Sequence, residues 1–192
     1  MTLSLAKPEL RRELRARCAA LEPHERERAS AAATARLLSL PELAAPGTAS
    51  LYAGTRGELD PRYALSVLAG RGVRVLFPRV AGAILEFADV RDLGELRPGH
   101  RGIAEPSGPP VPLPEIDVIV VPGLGFDLEG MRLGQGGGHY DRVLASLEAR
   151  TLRVGLCFER QVLERVTRDP FDQPVDLVVT DERVIRPGAR HR

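Results

Sequence analysis

The sequence has few cysteines and almost no excess of charge of either sign. Cys18 and Cys157 are the only two cysteines among 192 residues, so thiols alone can build neither a disulfide framework nor a zinc cluster. The 27 basic residues are balanced by 26 acidic ones, which leaves a net charge of +1 and no broad field to attract nucleic acid or an anionic membrane. We therefore expect no nucleic-acid or membrane partner and a reducing, cytoplasmic location.

Long apolar runs are also missing. No segment approaches the roughly 18 apolar residues that a membrane span requires, and the first ten residues lack the cationic and apolar pattern of an export signal. With 43% hydrophobic and 28% charged residues, the chain can bury a substantial core. These features predict a globular protein that forms one domain over residues 1–192, or at most two small ones.

Lysine is almost absent. Lys7 is the only lysine among the 27 basic residues, and the others are arginines. Random survival of one lysine explains this count as well as a functional need for lysine at position 7 does. The alternative is that position 7 needs a compact ammonium group, which binds phosphate as a point charge where a planar guanidinium fits differently.

The hydrophobic pattern is helical at the start of the chain and changes later. Pro8 can occupy a first helical turn, and apolar residues then recur at helical spacing to about residue 21. The alanine-rich residues 25–40 predict a second helix that ends before Pro41. Beyond residue 48, predicted strands cover residues 49–53, 73–77, 84–87, 118–121, 153–157 and 177–180, and predicted helices cover residues 61–69, 140–149 and 159–167.

This alternation predicts an α/β protein. Strands separated by helical stretches favour a mainly parallel sheet that is covered on both faces, preceded by the N-terminal pair of helices. The four consecutive apolar residues 118–121 suit a central strand. Six prolines between residues 98 and 114 exclude a helix or a central strand and predict an extended surface connection.

A glycine-rich loop after that central strand carries the strongest functional signal. Four glycines between residues 134 and 138 remove side chains where backbone amides can converge, and the helix predicted to follow offers unpaired N–H groups. Arg132 before the loop and Asp141 after it supply one group for phosphate and one for a hard cation. The pattern predicts an anion site at the strand ends, although a flexible strand-to-helix connection would also explain the glycines.

The loop matches neither of two common nucleotide signatures. No Gly-Lys-Ser/Thr sequence is present, and His139 occupies the position of the third glycine in a dinucleotide fingerprint. The chain reads Pro-Gly-Leu-Gly-Phe-Asp at 122–127 and Arg-Leu-Gly-Gln-Gly-Gly-Gly-His-Tyr-Asp-Arg at 132–142. Further motifs are Lys-Pro-Glu-Leu-Arg at 7–11, Gly-Glu-Leu-Asp at 57–60, Phe-Pro-Arg at 77–79, Gly-Ile-Ala-Glu-Pro at 102–106 and Pro-Val-Asp-Leu-Val-Val-Thr-Asp-Glu at 174–182.

Together these motifs resemble the 5-formyltetrahydrofolate cyclo-ligase family from Lys7 to about Ile185. The resemblance implies a three-layer α/β/α fold. It also implies an ATP- and Mg²⁺-dependent closure of 5-formyltetrahydrofolate to 5,10-methenyltetrahydrofolate, with release of ADP and phosphate. Such phosphoryl transfer depends on positioning and charge neutralisation more than on a protein nucleophile.

The resemblance further implies roles for individual residues. Lys7 and Arg132 would be catalytic, Ala53 and Glu58 would border the folate, and Asp141 and Asp172 would hold Mg²⁺. The nucleotide would contact Lys7, Arg11, Arg132, Leu133, Gly134, Gln135, Gly136, Gly137, Gly138, His139 and Tyr140. Without the resemblance, Glu58 is an exposed loop acid and Asp141 is a first-turn helix residue favoured by the helix dipole.

One departure and two alternatives accompany this interpretation. Phe171 stands where many relatives have histidine, which makes the metal role of Asp172 less secure than that of Asp141. The same departure would suit a binding protein that keeps the pocket without turnover. An isomerase or transferase on a similar fold would explain the glycine loop but not the Lys-Pro-Glu-Leu-Arg motif at 7–11.

Overall fold

Four α-helices and 13 strands form in the residues that the computed structural model describes, which are 6–44, 46–55 and 58–188. The helices are α1 (Lys7–Ala19), α2 (Pro23–Leu38), α3 (Ala64–Gly70) and α4 (His139–Ser146). The strands are β1 (Thr48–Ser50), β2 (Arg74–Ala81), β3 (Ile84–Asp89), β4 (Arg97–Pro98), β5 (Ala104–Glu105), β6 (Pro110–Val111), β7 (Val118–Val121), β8 (Gly125–Asp127), β9 (Arg132–Leu133), β10 (Leu152–Leu156), β11 (Val162–Leu163), β12 (Leu177–Val179) and β13 (Val184–Ile185). None of these helices has the length and apolar composition needed to cross a membrane.

Eight strands form the main sheet, in the order β13-β12-β10-β7-β1-β2-β3-β6. The five central strands, from β12 to β2, run parallel, with Val154 level with Val120 and Ala49 level with Val118. Antiparallel strands lie at both edges. Every residue of β7 is buried, as expected for a central strand covered on both faces. The predicted mainly parallel sheet is therefore confirmed.

Alternate side chains of β7 pack against different helices, which gives three layers. Val118 and Val120 belong to a hydrophobic cluster that includes side chains of α2 and α3. Ile119 and Val121 point to the other face and belong to a cluster that includes Val143 of α4. The α/β/α arrangement is confirmed, and so is the preceding helical pair formed by α1 and α2.

The order of connections changes direction between β1 and β7. From β1 the chain continues to β2 on one side, whereas from β7 it continues to β10 and β12 on the other. Such a reversal leaves a crevice at the carboxyl ends of the two strands, which is where open α/β sheets bind ligands. This crevice positions the candidate site.

The helix predicted over residues 159–167 is wrong. A 3₁₀ turn at Glu159–Gln161 leads directly into β11, which pairs with β8 in a small sheet that also contains β9. The Gln161 side chain is buried, and its amide binds the carbonyls of Gly123 and Leu124 and the N–H of Phe158. These tertiary hydrogen bonds satisfy backbone groups of the loop after β7, and they override the local helix propensity.

The proline-rich connection at about 98–114 has more structure than predicted. Strands β4 and β5 pair with each other, and β6 adds to the edge of the main sheet beside β3. Pro110 is tolerated in β6 because an edge strand leaves one row of backbone groups without a ladder. The prediction of a single domain over residues 1–192 stays a prediction.

Candidate functional site

A cavity of about 880 Å³ opens at the carboxyl ends of β1 and β7. Its walls come from the segments after these strands, the glycine-rich loop, the start of α1, the end of β2, residues 100–105 and residues 169–173. Every residue predicted for the site lines this cavity, namely Lys7, Arg11, Ala53, Glu58, Arg132, Leu133, Gly134, Gln135, Gly136, Gly137, Gly138, His139, Tyr140, Asp141 and Asp172. The structure brings these residues together, while their roles stay predictions.

The backbone of the loop at 134–138 requires glycine at two positions. Gly136 has φ 103° and Gly138 has φ 65°, a region that residues with a Cβ rarely adopt. Gly138 is the N-cap of α4 and brings no side chain to cover the first turn. The loop therefore presents the start of a helix to the cavity, where N–H groups and the helix dipole favour an anion.

Three cations lie at intervals of four residues along one face of α1, and two of them, Lys7 and Arg11, line the cavity. Arg11 Nε donates to the carbonyl of Gly134 at 3.0 Å. Arg15 donates to the side-chain oxygen of Gln135 at 2.5 Å. Arg11 and Arg15 thus attach α1 to the glycine loop, and Lys7 lies one turn earlier on the same face, as the helical repeat dictates. Arg15 was not among the predicted site residues.

Lys7 bridges two carboxylates on the loop opposite α1. Its Nζ lies 2.6 Å from Asp169 Oδ2 and 2.7 Å from Asp172 Oδ2. Burial lowers the pKa of Lys7, but the hydrogen bonds and charges of Asp169 and Asp172 outweigh that effect and raise the pKa above its ordinary value. Lys7 is thus fully protonated at neutral pH. Sequence reasoning missed Asp169, which a search for acids near Asp172 would have found.

Arg132 is the buried cation of the site. Its Nη2 donates to Asp141 Oδ1 at 2.8 Å and its Nη1 donates to the carbonyl of Pro122 at 3.3 Å. The guanidinium also lies over the ring of Tyr140, 5.5 Å from the ring centre, within cation–π range. Burial raises the pKa of Tyr140 more than Arg132 lowers it, so the phenol stays neutral. A buried charge needs such partners, and they fix the orientation of Arg132.

The two predicted metal ligands, Asp141 and Asp172, both line the cavity and come from adjacent segments. The backbone N–H of Gln173, next to Asp172, donates to Asp141 Oδ1 at 3.4 Å. Within residues 6–44, 46–55 and 58–188, no group of three or more His, Cys, Asp or Glu side chains is arranged to hold a metal ion. Mg²⁺ usually takes one or two carboxylates together with substrate phosphates and water. Two carboxylates beside the glycine-rich loop fit that mode of binding.

The wall after β1 contains Ala53 and Glu58. The hydroxyl of the buried Tyr52 donates to the carbonyl of Leu59 at 2.9 Å, which folds this loop back on the strand end. Glu58 Oε2 accepts from the N–H of Thr55 at 3.0 Å, and Glu58 Oε1 accepts from the side-chain amide of Gln135 at 3.0 Å. The carboxylate is therefore held in a fixed direction at the cavity.

The proline-rich connection also lines the cavity, which the sequence did not predict. Arg79, at the end of the Phe-Pro-Arg motif, donates to Glu86 at 2.7 and 2.9 Å and to the carbonyl of Gly108 at 2.6 Å. Glu105 Oε1 accepts from the N–H of Val80 at 3.1 Å. These bonds attach the connection to the end of β2 and bring residues 100–105 to the cavity wall.

Comparison with known proteins gives a consistent result. A model of the "5-formyltetrahydrofolate cyclo-ligase family" matches residues 4–181. The 5-formyltetrahydrofolate cyclo-ligase of Escherichia coli K12 is 32% identical over 179 residues, which cover 89% of this chain and 98% of that protein. A probable 5-formyltetrahydrofolate cyclo-ligase of Schizosaccharomyces pombe is 30% identical over 202 residues and covers 96% and 99% of the two chains.

Solved structures show the same fold. The NMR structure of Aquifex aeolicus 5,10-methenyltetrahydrofolate synthetase superposes with a TM-score of 0.85 and 36% sequence identity, over 98% of this chain and 96% of the other. A 5,10-methenyltetrahydrofolate synthetase from Mycoplasma pneumoniae shares the fold with a TM-score of 0.75 at 23% identity.

Proposed function

The chain belongs to the 5-formyltetrahydrofolate cyclo-ligase family and is a ligase, and we propose that it closes 5-formyltetrahydrofolate to 5,10-methenyltetrahydrofolate while ATP becomes ADP and phosphate. The observation that carries this proposal is one cavity at the strand ends, in which the glycine-rich loop and the wall formed by Ala53 and Glu58 face the same space. A ligase of this kind must bring a folate and a triphosphate into one enclosure, and this cavity is large enough for both reacting groups to meet.

The glycine loop and the cations of α1 would bind the nucleotide. The backbone amides at residues 134–138 would contact phosphate oxygens, and Lys7 and Arg11 would approach from the first helix. Arg132 would neutralise charge on the transferred phosphoryl group, since phosphoryl transfer is accelerated mainly by positioning and electrostatic stabilisation. Asp141 and Asp172 would hold Mg²⁺, which supplies further neutralisation of the phosphate charge.

The reaction needs no protein nucleophile. The formyl oxygen on N5 of the folate attacks the γ-phosphate and displaces ADP. N10 then bonds to the activated carbon and loses its proton, and the bond from this carbon to the formyl oxygen breaks as phosphate leaves with that oxygen. Glu58, held by Thr55 and Gln135, would orient the folate beside the γ-phosphate. Lys7 is paired with Asp172, and Arg132 is paired with Asp141. When nucleotide binds, the two cations would turn to its phosphates and the two carboxylates would hold Mg²⁺.

The direct test is incubation of the purified protein with 5-formyltetrahydrofolate, ATP and Mg²⁺. We expect the methenyl chromophore to appear and one ADP to form per product molecule, with neither forming when ATP is omitted. Binding of folate and ATP in calorimetry without ADP release would contradict the proposal and indicate a relative without turnover. We place the reaction in the reducing cytoplasm, which suits the two buried, unpaired thiols Cys18 and Cys157.

A further inference from the structure

Gln135 connects the nucleotide loop with the opposite wall of the cavity. Its side-chain oxygen accepts from Arg15 at 2.5 Å, and its side-chain nitrogen donates to Glu58 Oε1 at 3.0 Å. Glu58 in turn accepts from the N–H of Thr55, whose carbonyl accepts from the N–H of Glu58 at 3.0 Å. A continuous chain of hydrogen bonds therefore runs from α1 through the glycine loop to the segment after β1.

The charged partners on either side of Gln135 determine how its side-chain amide is oriented. The side-chain oxygen of Gln135 accepts from a guanidinium, and its NH₂ group donates to a carboxylate. The flipped orientation would place two donors together at Arg15 and two acceptors together at Glu58. An amide is suited to this position because it both accepts and donates. A methionine would do neither, and a glutamate would retain Arg15 but repel Glu58.

We propose that Gln135 is a positioning residue that ties the carboxylate of Glu58 to the nucleotide loop, so that nucleotide binding and folate binding favour each other. The inference rests on the proposed function, because it takes the loop as the nucleotide site and Glu58 as a folate contact. A nucleotide that orders residues 134–138 also fixes Gln135, and Gln135 then holds Glu58 in the direction that the folate requires. Thermodynamic linkage makes the effect reciprocal.

The test compares folate binding with and without nucleotide. Calorimetry measures the Kd of 5-formyltetrahydrofolate for the wild type, Gln135→Met, Gln135→Glu and Glu58→Gln, each alone and with a non-hydrolysable ATP analogue and Mg²⁺. Arg15→Met tests the other end of the chain of bonds. Arg12→Met is its matched control, because Arg12 is exposed on the same helix and its side chain makes no hydrogen bond within the described residues.

In the wild type, the nucleotide analogue should tighten folate binding. Gln135→Met should weaken folate binding in the presence of the analogue by about three- to tenfold, the loss expected for one or two net hydrogen bonds, and should remove most of the tightening. Gln135→Glu should weaken it further. The Kd of the analogue, measured without folate, should change by a smaller factor than the folate Kd does, since the loop backbone provides most of the contacts to the nucleotide. Arg12→Met should match the wild type.

A double-mutant cycle separates this inference from a general weakening of the loop. If Gln135 acts through Glu58, the variant that combines Gln135→Met with Glu58→Gln should bind folate no more weakly than Glu58→Gln alone. Losses that multiply, or an unchanged folate Kd in Gln135→Met, would overturn the inference and leave the proposed function standing. Failure of the wild type to bind 5-formyltetrahydrofolate in either condition would instead refute the proposed function and the inference together.

Discussion

Replacement of Lys7 by alanine tests the proposed nucleotide site. The ammonium group lies 2.6 and 2.7 Å from two carboxylates, and the side chains of Lys7 and Asp172 are only 16% and 17% exposed. A charge-assisted hydrogen bond to phosphate is worth about 1.5–3 kcal/mol, or roughly ten- to a hundredfold in rate or affinity. Because solvent screens Lys7 and Asp172 weakly, we expect Lys7→Ala to fall in the upper half of that range. Asp169 is 63% exposed, so solvent screens its ion pair with Lys7 more strongly and this pair contributes less to holding the ammonium group.

Steady-state kinetics at varied ATP measure the loss as a fall in kcat/KM. The sequence also permits a spectroscopic assay, because lysine labelled with ¹³C at Cε gives a single side-chain signal, that of Lys7. That signal should shift when ATP and Mg²⁺ are added and should keep its position when folate alone is added. Arg12→Ala, on the exposed side of the same helix, controls for a general effect on α1.

Lys7→Arg separates the two interpretations of the single lysine. A guanidinium keeps the charge but is planar and longer, so a site built for a compact ammonium should lose about tenfold or more in kcat/KM for ATP. Near-normal kinetics for Lys7→Arg would show that the lysine survives by chance. Unchanged KM and kcat in Lys7→Ala would refute the nucleotide role of Lys7 altogether.

Three further predictions follow from the site and the core. Gly138→Ala forces an alanine into φ 65°, so we expect it to lose about 1–2 kcal/mol of stability, seen as a lower Tm, whereas Gly188→Ala, which meets open space, should melt like the wild type. Asp141→Asn should require more Mg²⁺ for half-maximal rate, and an unaltered metal titration would remove Asp141 from the metal site. Burial raises the pKa of the Cys157 thiol well above its ordinary value, so the folded protein binds this proton more tightly than the unfolded chain does. The contribution of this thiol to the free energy of unfolding is complete below the ordinary thiol pKa and falls as the pH rises above it. Denaturant titrations at about pH 8 and pH 10 should therefore show a smaller fall in the free energy of unfolding for Cys157→Ala than for the wild type.

The sequence predicts those parts of the fold that depend on local pattern. The apolar run of β7 marks a central strand because burial on both faces removes every polar side chain from it. The helix α1 follows from its apolar stripe, with Leu10 and Leu14 packed beside Leu133. The glycine loop is recognisable because backbone with positive φ at Gly136 and Gly138 leaves little choice of residue.

Tertiary contacts decide the parts that the sequence does not predict. Residues 159–167 have good helix formers, but the buried amide of Gln161 satisfies distant backbone groups and ends the turn. Asp169 becomes a site residue only because α1 brings Lys7 to it across 162 positions of the chain. The proline-rich connection reaches the cavity through the bond of Arg79 to Gly108 and that of Val80 to Glu105, which no local pattern encodes.

The main sheet ends on both sides in strands of only two residues, β13 and β6, and the second of these contains Pro110. A growing aggregate needs a long row of free amides and carbonyls to which another molecule can add its own backbone. Edge strands of two residues, one of which lacks an N–H at the proline, offer an incoming strand very few backbone groups for hydrogen bonding. The two margins of this sheet therefore offer little backbone for edge-to-edge pairing between molecules.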